Sequence, residues 1–178
     1  MQNKLFRYFI LGLSLILSAC SAVDVSDYAA TEPRLDLKTF FNGDLKVYGM
    51  VQDMSGKMTR RFSADIKASW QGNTGTLDEV FYFDDGEQQT RIWTLNDLGN
   101  GRYTGTAGDV VGVAQGQTRG AVFRWQYELT IPYDGDTLNV HLDDWLYLIS
   151  EDRLLNRTSI NKFGIEVGEI TLIIEKRN

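Results

Sequence analysis

The feature that most constrains the fold of this chain is a repeated alternation of apolar and polar residues with a period of two. It is clearest over residues 60–70. There the odd-numbered positions are all polar, and the even-numbered positions, apolar except for the first, are Arg60, Phe62, Ala64, Ile66, Ala68 and Trp70. Successive side chains of a β-strand point to opposite faces of a sheet, whereas a helix repeats about every 3.6 residues. The pattern therefore predicts a half-buried antiparallel strand.

About ten segments of this kind follow one another between residues 40 and 176. Turn sequences such as Asp84-Asp85-Gly86 separate them, which is typical of β-hairpins. No amphipathic helix interrupts the series, although a short helix over residues 150–155 is an alternative to a turn there. The sequence predicts an all-β domain over residues 39–178, a single antiparallel lipocalin-like (calycin-type) barrel of about 8–10 strands. We favour a barrel over a sandwich because closure removes exposed strand edges.

A barrel of this size is filled by its own side chains or holds one small ligand. We expect the apolar parity to point inward, and it includes Phe62, Ile66, Trp70, Phe123, Trp125, Leu142 and Leu146. The alternation alone also fits a membrane-spanning barrel whose apolar face points outward. We favour a periplasmic barrel, because an integral barrel would not need the lipid anchor that the N-terminus predicts.

Residues 1–19 have the organisation of a signal peptide. Lys4 and Arg7 precede an apolar stretch that is too short to span a bilayer as a helix. The stretch ends in Leu17-Ser18-Ala19-Cys20, which resembles the bacterial lipobox, and Cys20 is the only cysteine of the chain. We therefore interpret Cys20 as a lipidation site; the alternative is an ordinary secretory signal that ends near a buried cysteine. Ser21 stands where inner-membrane retention would need Asp, so we expect an outer-membrane lipoprotein that faces the periplasm.

The chain is acidic. Its 178 residues carry a formal net charge of −6, which becomes −8 when residues 1–19, with two cations and no anions, are removed. We expect no nucleic-acid partner, because such proteins neutralise phosphates with clustered Lys and Arg. An acidic body does not adhere to an anionic membrane by itself, so membrane attachment depends on acyl chains on Cys20. Residues 20–38 are polar and aperiodic, and we interpret them as a flexible tether.

Several short phrases resemble an uncharacterised family of Gram-negative lipoproteins known as a domain of unknown function. The resemblance covers residues 38–176 and rests on Phe41-Asn42-Gly43, Val51-Gln52-Asp53 followed by Arg60-Arg61-Phe62, Tyr103-Thr104-Gly105-Thr106-Ala107, Asp143-Asp144-Trp145, Leu155-Asn156-Arg157 and Lys162-Phe163-Gly164. It implies a lipocalin-like periplasmic barrel without an established activity, and it favours a lipid ligand. It assigns no residue a role.

The sequence offers little that favours catalysis, and we expect no enzyme, no cofactor and no metal site. His141 is the only histidine and lies on the polar parity of its strand. Asp143 and Asp144 are neighbours on a strand, so they point to opposite faces and cannot share a substrate. Glycines recur at positions 105, 108, 112, 116 and 120 without the Gly-Lys-Ser/Thr ending of a phosphate loop. We interpret them as bulges, coiling or points of close approach.

The most informative feature is the presence of charged residues on strand faces that are otherwise apolar. Asp144 lies among inward-facing leucines, Arg60 continues the face of Phe62, and Arg91 shares its parity with Trp93. One interpretation is structural ion pairs near the barrel ends, because an unpaired charge inside a barrel is costly. In the other, an arginine receives the carboxylate or phosphate of an amphiphile whose tail lies along the aromatic residues. The candidate ligand-binding residues are Arg60, Arg91, Trp93, Trp125, Asp144 and Arg157.

Two functions follow from these observations. The first is a non-enzymatic, outer-membrane-anchored lipoprotein that binds a lipid or fatty-acid-like amphiphile. The second is a structural or accessory envelope lipoprotein whose barrel is filled by side chains and whose outer face binds a protein partner. An open interior would favour the first, and a packed interior with an exposed apolar patch would favour the second.

Overall fold

The computed structural model describes residues 22–177, and ten β-strands make up most of this part of the chain. They are β1 (Gly43–Asp53), β2 (Met58–Gln71), β3 (Thr74–Phe83), β4 (Gln88–Gly99), β5 (Arg102–Thr106), β6 (Val110–Arg119), β7 (Val122–Tyr133), β8 (Asp136–Ser150), β9 (Arg153–Lys162) and β10 (Ile165–Lys176). Each strand pairs antiparallel with the next, and β10 pairs with β1 to close the barrel. The predicted antiparallel barrel is confirmed.

The pairing of β1 with β10, which closes the barrel, is long and regular. It extends from Leu45 opposite Lys176 to Asp53 opposite Gly168. Between β8 and β9 the chain makes a turn at Glu151 and Asp152, so the alternative of a short helix over residues 150–155 is wrong. Cys20 and the predicted signal peptide lie outside the described residues. Among residues 22–177, no helix is long and apolar enough to cross a membrane.

The alternation of side chains along each strand determines which of them fill the barrel interior. Five of the side chains expected to point inward are buried, namely Ile66, Phe123, Trp125, Leu142 and Leu146, and Phe62 and Trp70 are partly buried against the same core. This confirms the predicted inward face. Asp144 is also buried on that face, with only 7% of its surface exposed.

A flexible tether was predicted for residues 20–38, but residues 24–38 of that segment pack against the barrel, which corrects the prediction there. The packed segment contains a 3₁₀ helix (Val25–Tyr28) and a short helix α1 (Leu37–Phe40), each capped by an aspartate, Asp24 or Asp36. Val25, Leu35 and Leu37 are buried. Three apolar residues in a polar segment give no period, so the sequence pattern did not predict this packing.

Helix α1 closes one end of the barrel. Leu37 and Phe41 reach the barrel interior, and the Trp70 indole N–H donates to the Phe41 carbonyl at 2.9 Å. The Leu35 amide donates to the Gly120 carbonyl at 2.8 Å in the turn between β6 and β7. The segment is therefore attached to the barrel both through its core and through a hairpin turn.

Three of the recurring glycines, at positions 105, 116 and 120, mark close approaches, as the sequence analysis expected. A Cβ on Gly116 would collide with the Trp125 ring, so the missing side chain makes room for that indole. Gly120 has a φ of +52°, and a Cβ there would collide with the Tyr28 carbonyl of the packed N-terminal segment.

Candidate functional site

The barrel encloses a cavity of about 170 Å³ whose wall is mostly apolar. Its lining includes Phe62, Phe81, Trp93, Trp125, Leu172 and Ile174. A cavity of ~150 Å³ lined by apolar side chains accepts benzene, whereas most ligand pockets measure about 300–1,000 Å³. The space therefore holds a ring or a short alkyl chain without movement of the lining, and not a whole phospholipid.

The two ends of the cavity differ. At the end that α1 closes, Leu37 and Phe41 are buried. At the opposite end no helix of the described chain covers the strands, and the inward-facing Phe62, Phe81 and Ile170 are only partly buried. We call this second end the mouth.

Aromatic side chains form much of the wall. The Trp93 ring lies edge-on to Trp125, with ring centroids 5.6 Å apart, and edge-on to Tyr127, with centroids 5.2 Å apart. Edge-to-face pairs at such distances are favourable and hold rings in defined orientations. Because Trp93 and Trp125 both line the cavity, their fluorescence reports on what occupies it.

A buried polar cluster interrupts the apolar wall midway along the strands. We define this polar cluster as Glu79, Arg91, Tyr127, Asp144 and Thr158, all of which line the cavity. Glu79 is paired in register with Arg91 between β3 and β4, and Asp144 with Thr158 between β8 and β9. In a ring of ten strands β3 and β8 are five strands apart, so Glu79 and Asp144 lie on opposite walls.

The only cation of the polar cluster already has a carboxylate partner. The Arg91 Nε and Nη2 atoms donate to both oxygens of Asp109, in the loop between β5 and β6, at 2.8–3.0 Å. The Nη1 atom of Arg91 lies 4.0 Å from Glu79 Oε2, which is the limit for an ion pair. We therefore regard Arg91 and Asp109 as the main pair and Glu79 as a weak third member.

Burial changes the acidity of this cluster. It raises the pKa of Glu79 from 4.5 to about 7, which the positive charge of Arg91 only partly opposes. It likewise raises the pKa of Asp144 from 3.8 to about 7, against the opposing influence of the hydroxyls of Thr158 and Tyr127. The pKa of Tyr127 is raised well above 10 by burial and by the nearby Asp144. Both carboxyl groups therefore change protonation near neutral pH.

In the polar cluster, one oxygen of the Asp144 carboxyl group lacks a hydrogen-bond partner within the described chain. Its Oδ1 atom is buried and has no hydrogen-bond partner among residues 22–177. A buried acceptor without a partner costs about 1–3 kcal/mol. Asp144 lines the cavity, so a guest that donates a hydrogen bond to this carboxyl group would remove that cost.

Four of the six predicted ligand-binding residues come together at the cavity: Arg91, Trp93, Trp125 and Asp144. Arg60 lies at the mouth instead, where its guanidinium bonds Asp85 at 2.7 Å and lies 3.5 Å from the Phe83 ring centroid. This position agrees with the interpretation of a structural ion pair near a barrel end.

Arg157, the last of the six predicted ligand-binding residues, does not line the cavity. Its side chain is on the outer surface and pairs with Glu169 of β10. On β9 the buried, inward-facing positions are Asn156 and Thr158, so the residue between them points outward.

The prediction missed Glu79, Asp109, Tyr127 and Thr158. Glu79 alternates with Leu77 and Phe81, the same signal that identified Asp144, and Tyr127 shares its parity with Trp125. Asp109 lies in a loop and Thr158 among polar residues, so neither gave a periodic signal.

The outer surface holds the remaining polar candidates. His141 lies 3.1 Å from Glu128, and Asp143 pairs with Arg124 on the outside of β7 and β8. Within residues 22–177, no group of three or more His, Cys, Asp or Glu is arranged to hold a metal ion.

Comparison with known proteins gives a family and a fold. A family described as a protein of unknown function (DUF3833) matches residues 14–176. No curated protein sequence matches the chain. Among solved structures, the S-type phycobiliprotein lyase CPES from Guillardia theta is similar, with a TM-score of 0.57 over 82% of this chain and 95% of that chain. The sequence identity is 8%, so this likeness supports the lipocalin-like barrel alone.

Proposed function

This chain belongs to the DUF3833 family of proteins of unknown function, and we propose that it is a non-enzymatic lipoprotein that binds one small amphiphile inside its barrel. The ligand is a lipid or fatty-acid-like molecule, of which a short alkyl segment lies in the cavity. The proposal depends on one observation above all, an apolar cavity of about 170 Å³ interrupted by a buried polar cluster. Such a site desolvates a tail and meets a polar group, which is what binding an amphiphile requires.

We further propose that acyl chains on Cys20 attach the protein to the periplasmic face of the outer membrane. The lipobox-like Leu17-Ser18-Ala19-Cys20 and Ser21 support this location. In a fractionation of cells that express the full chain, we expect the protein in the outer membrane and Cys20→Ser in the soluble periplasm. Recovery of the unsubstituted protein as a soluble species, or in the inner membrane, would contradict this location.

Exposed apolar side chains at the mouth support ligand exchange with a lipid surface. Met54, Tyr133 and Phe163 are 72%, 63% and 91% exposed, and they lie at or beside the tips of three hairpins that neighbour one another around the barrel. An exposed cluster of large apolar groups is typical of a contact with a membrane or a partner. Here the cluster borders the mouth of an apolar cavity, so we assign it to a membrane surface.

The experiment that tests the proposal is native mass spectrometry of gently purified protein, followed by lipid extraction. We expect one small amphiphile per barrel. Leu172→Phe adds volume at a cavity-lining position of β10 and should lower occupancy, whereas Ile173→Phe makes a similar change on the outer face and should not. An empty unsubstituted protein that also binds no added fatty acid, alcohol or amine would overturn the proposal.

A second candidate function is a structural or accessory envelope lipoprotein with a protein partner. The observation in its favour is the small size of the cavity, since core side chains fill much of the interior. Under this alternative the apolar tips at the mouth contact a protein, and enlarging or filling the cavity has no effect beyond stability.

A further inference from the structure

We propose that the polar cluster receives a group that donates hydrogen bonds and carries no negative charge, with a primary amine as the best match. This inference rests on the proposed function and specifies the polar part of the amphiphile. It differs from the anionic carboxylate or phosphate that the arginines of the sequence had indicated.

The balance of charge around the cavity disfavours an anion. Arg91 is the cation of the polar cluster, and three carboxyl groups surround it: Asp109 at 2.8 Å, Glu79 at 4.0 Å and Asp144 farther away. The two donors of Arg91 that face Asp109 are fully engaged. A carboxylate guest would have to displace Asp109 and would add a negative charge beside Glu79 and Asp144.

The unpartnered acceptor favours a donor. Asp144 is more than nine-tenths buried, lines the cavity, and has an Oδ1 atom without a hydrogen-bond partner in the described part of the chain. Glu79 faces it from the opposite wall, close enough for the charge of Asp144 to raise the pKa of Glu79. A guest between the walls can donate to both, and an ammonium group has three donors to offer.

Electrostatics adds to this preference. Burial keeps the pKa of both carboxyl groups near 7. A cationic guest favours the ionised carboxylates and strengthens the hydrogen bonds, because charge-assisted bonds are shorter and stronger than neutral ones. An alcohol donates one hydrogen bond without changing the charge, so it should bind less tightly than an amine.

The test uses octylamine, octanol and octanoate, which share a chain length and differ in their polar group. The full chain with Cys20→Ser is titrated with each at pH 8, and quenching or shift of the Trp93 and Trp125 fluorescence reports occupancy. We expect octylamine to bind most tightly and octanoate least, with a difference of roughly tenfold or more between these two, the size of one charge-assisted hydrogen bond. The charged and titratable groups around the guest are Glu79, Asp144, Arg91 and Tyr127, with Asp109 behind Arg91. Lowering the pH to 5.5 should weaken octylamine binding, because Glu79 and Asp144, whose pKa values are about 7, then gain protons.

Asp144→Asn should remove most of the preference for the amine. Asp143→Asn makes the same chemical change at the adjacent, outward-facing position and should keep the preference. Glu79→Gln is a second test at the opposite wall, and it keeps the inference falsifiable should Asp144→Asn fail to fold.

The possible results distinguish a failure of the inference about the polar group from a failure of the proposed ligand binding. Tightest binding by octanoate, or a preference for the amine that survives both Asp144→Asn and Glu79→Gln, overturns the inference and leaves ligand binding intact. No response to any of the three amphiphiles overturns the proposed function itself.

Discussion

The two ends of the barrel differ in how they are covered. At the end that α1 closes, Leu37, Leu45 and Leu154 are almost completely buried. At the mouth, inward-facing side chains such as Phe62 remain partly exposed, and Phe163 at the rim is 91% exposed. Since burial of apolar surface is the main source of folding stability, the side chains of the closed end contribute more to stability than those of the mouth.

The hairpins show the same contrast. At the closed end the turns contain small or polar residues, such as Asn100-Gly101 and Glu151-Asp152. At the mouth, three neighbouring turns have Met54, Tyr133 and Phe163 at or beside their tips. The turn tips at the mouth therefore expose larger apolar side chains than those at the closed end, where the exposed Leu98 and Ile149 lie within the strands.

The largest effect should come from the closed end. Leu37→Ala removes a side chain with 0% exposure, and we expect it to lower the free energy of unfolding by ~2–5 kcal/mol. Phe163→Ala at the mouth should change it by about 0.5 kcal/mol or less. Chemical denaturation measures both, and similar losses at the two ends would contradict the division between them.

The buried carboxyl groups between the two ends should make stability depend on pH in an unusual direction. The folded protein keeps protons on Glu79 and Asp144 up to about pH 7, whereas the ordinary pKa values are 4.5 and 3.8. Stability from these groups is therefore full at low pH and is lost as pH rises from about 4 through 7. At about 1.36 kcal/mol for each pKa unit, we expect a loss of ~2 kcal/mol or more between pH 5 and pH 8.

Thermal unfolding at several pH values measures this loss. The double substitution Glu79→Gln and Asp144→Asn should flatten the dependence, because neither amide titrates. A protein that is equally stable at pH 5 and pH 8 would show that the two carboxyl groups are better solvated than their burial indicates.

A smaller effect should distinguish the packed N-terminal segment from an ordinary loop. Gly120 and Gly112 both have positive φ, but a Cβ collides with the Tyr28 carbonyl only at Gly120. Gly112→Ala should cost about 1–2 kcal/mol from its backbone conformation alone, and Gly120→Ala should cost more. Equal costs, measured by denaturation, would mean that the segment moves aside without loss of stability.

The smallest effect on stability, and a clear effect on exchange, is expected at the mouth. Phe163→Ser should leave the free energy of unfolding within about 0.5 kcal/mol but slow the transfer of octylamine from phosphatidylethanolamine–phosphatidylglycerol vesicles to the protein. Ile92→Ser serves as a control, since Ile92 is 56% exposed on the outer wall of β4. Unchanged transfer rates in Phe163→Ser would show that the apolar hairpin tips do not contribute to ligand entry.

The sequence predicted the barrel well because nearly every strand has one apolar face. It failed on β9, where Asn156 and Thr158 point inward and Leu155 does not, so polarity no longer indicates the face. It identified Asp144 and Arg91 because each interrupts an apolar parity. It could not predict that Arg91 is paired, because Asp109 lies in a loop eighteen residues away and nothing in its neighbourhood indicates an inward carboxylate.

The packing of the segment that begins at Asp24 also determines how far the barrel can move from a membrane. Under the proposed attachment at Cys20, only the four peptide units between Cys20 and Asp24 connect the lipid to the barrel wall, a reach of about 14 Å at most. A free chain through residue 38 would have allowed roughly 60 Å. That attachment would confine the barrel to a thin layer at the bilayer surface, where it would search two dimensions rather than the periplasmic volume and meet membrane-borne molecules at a high effective concentration.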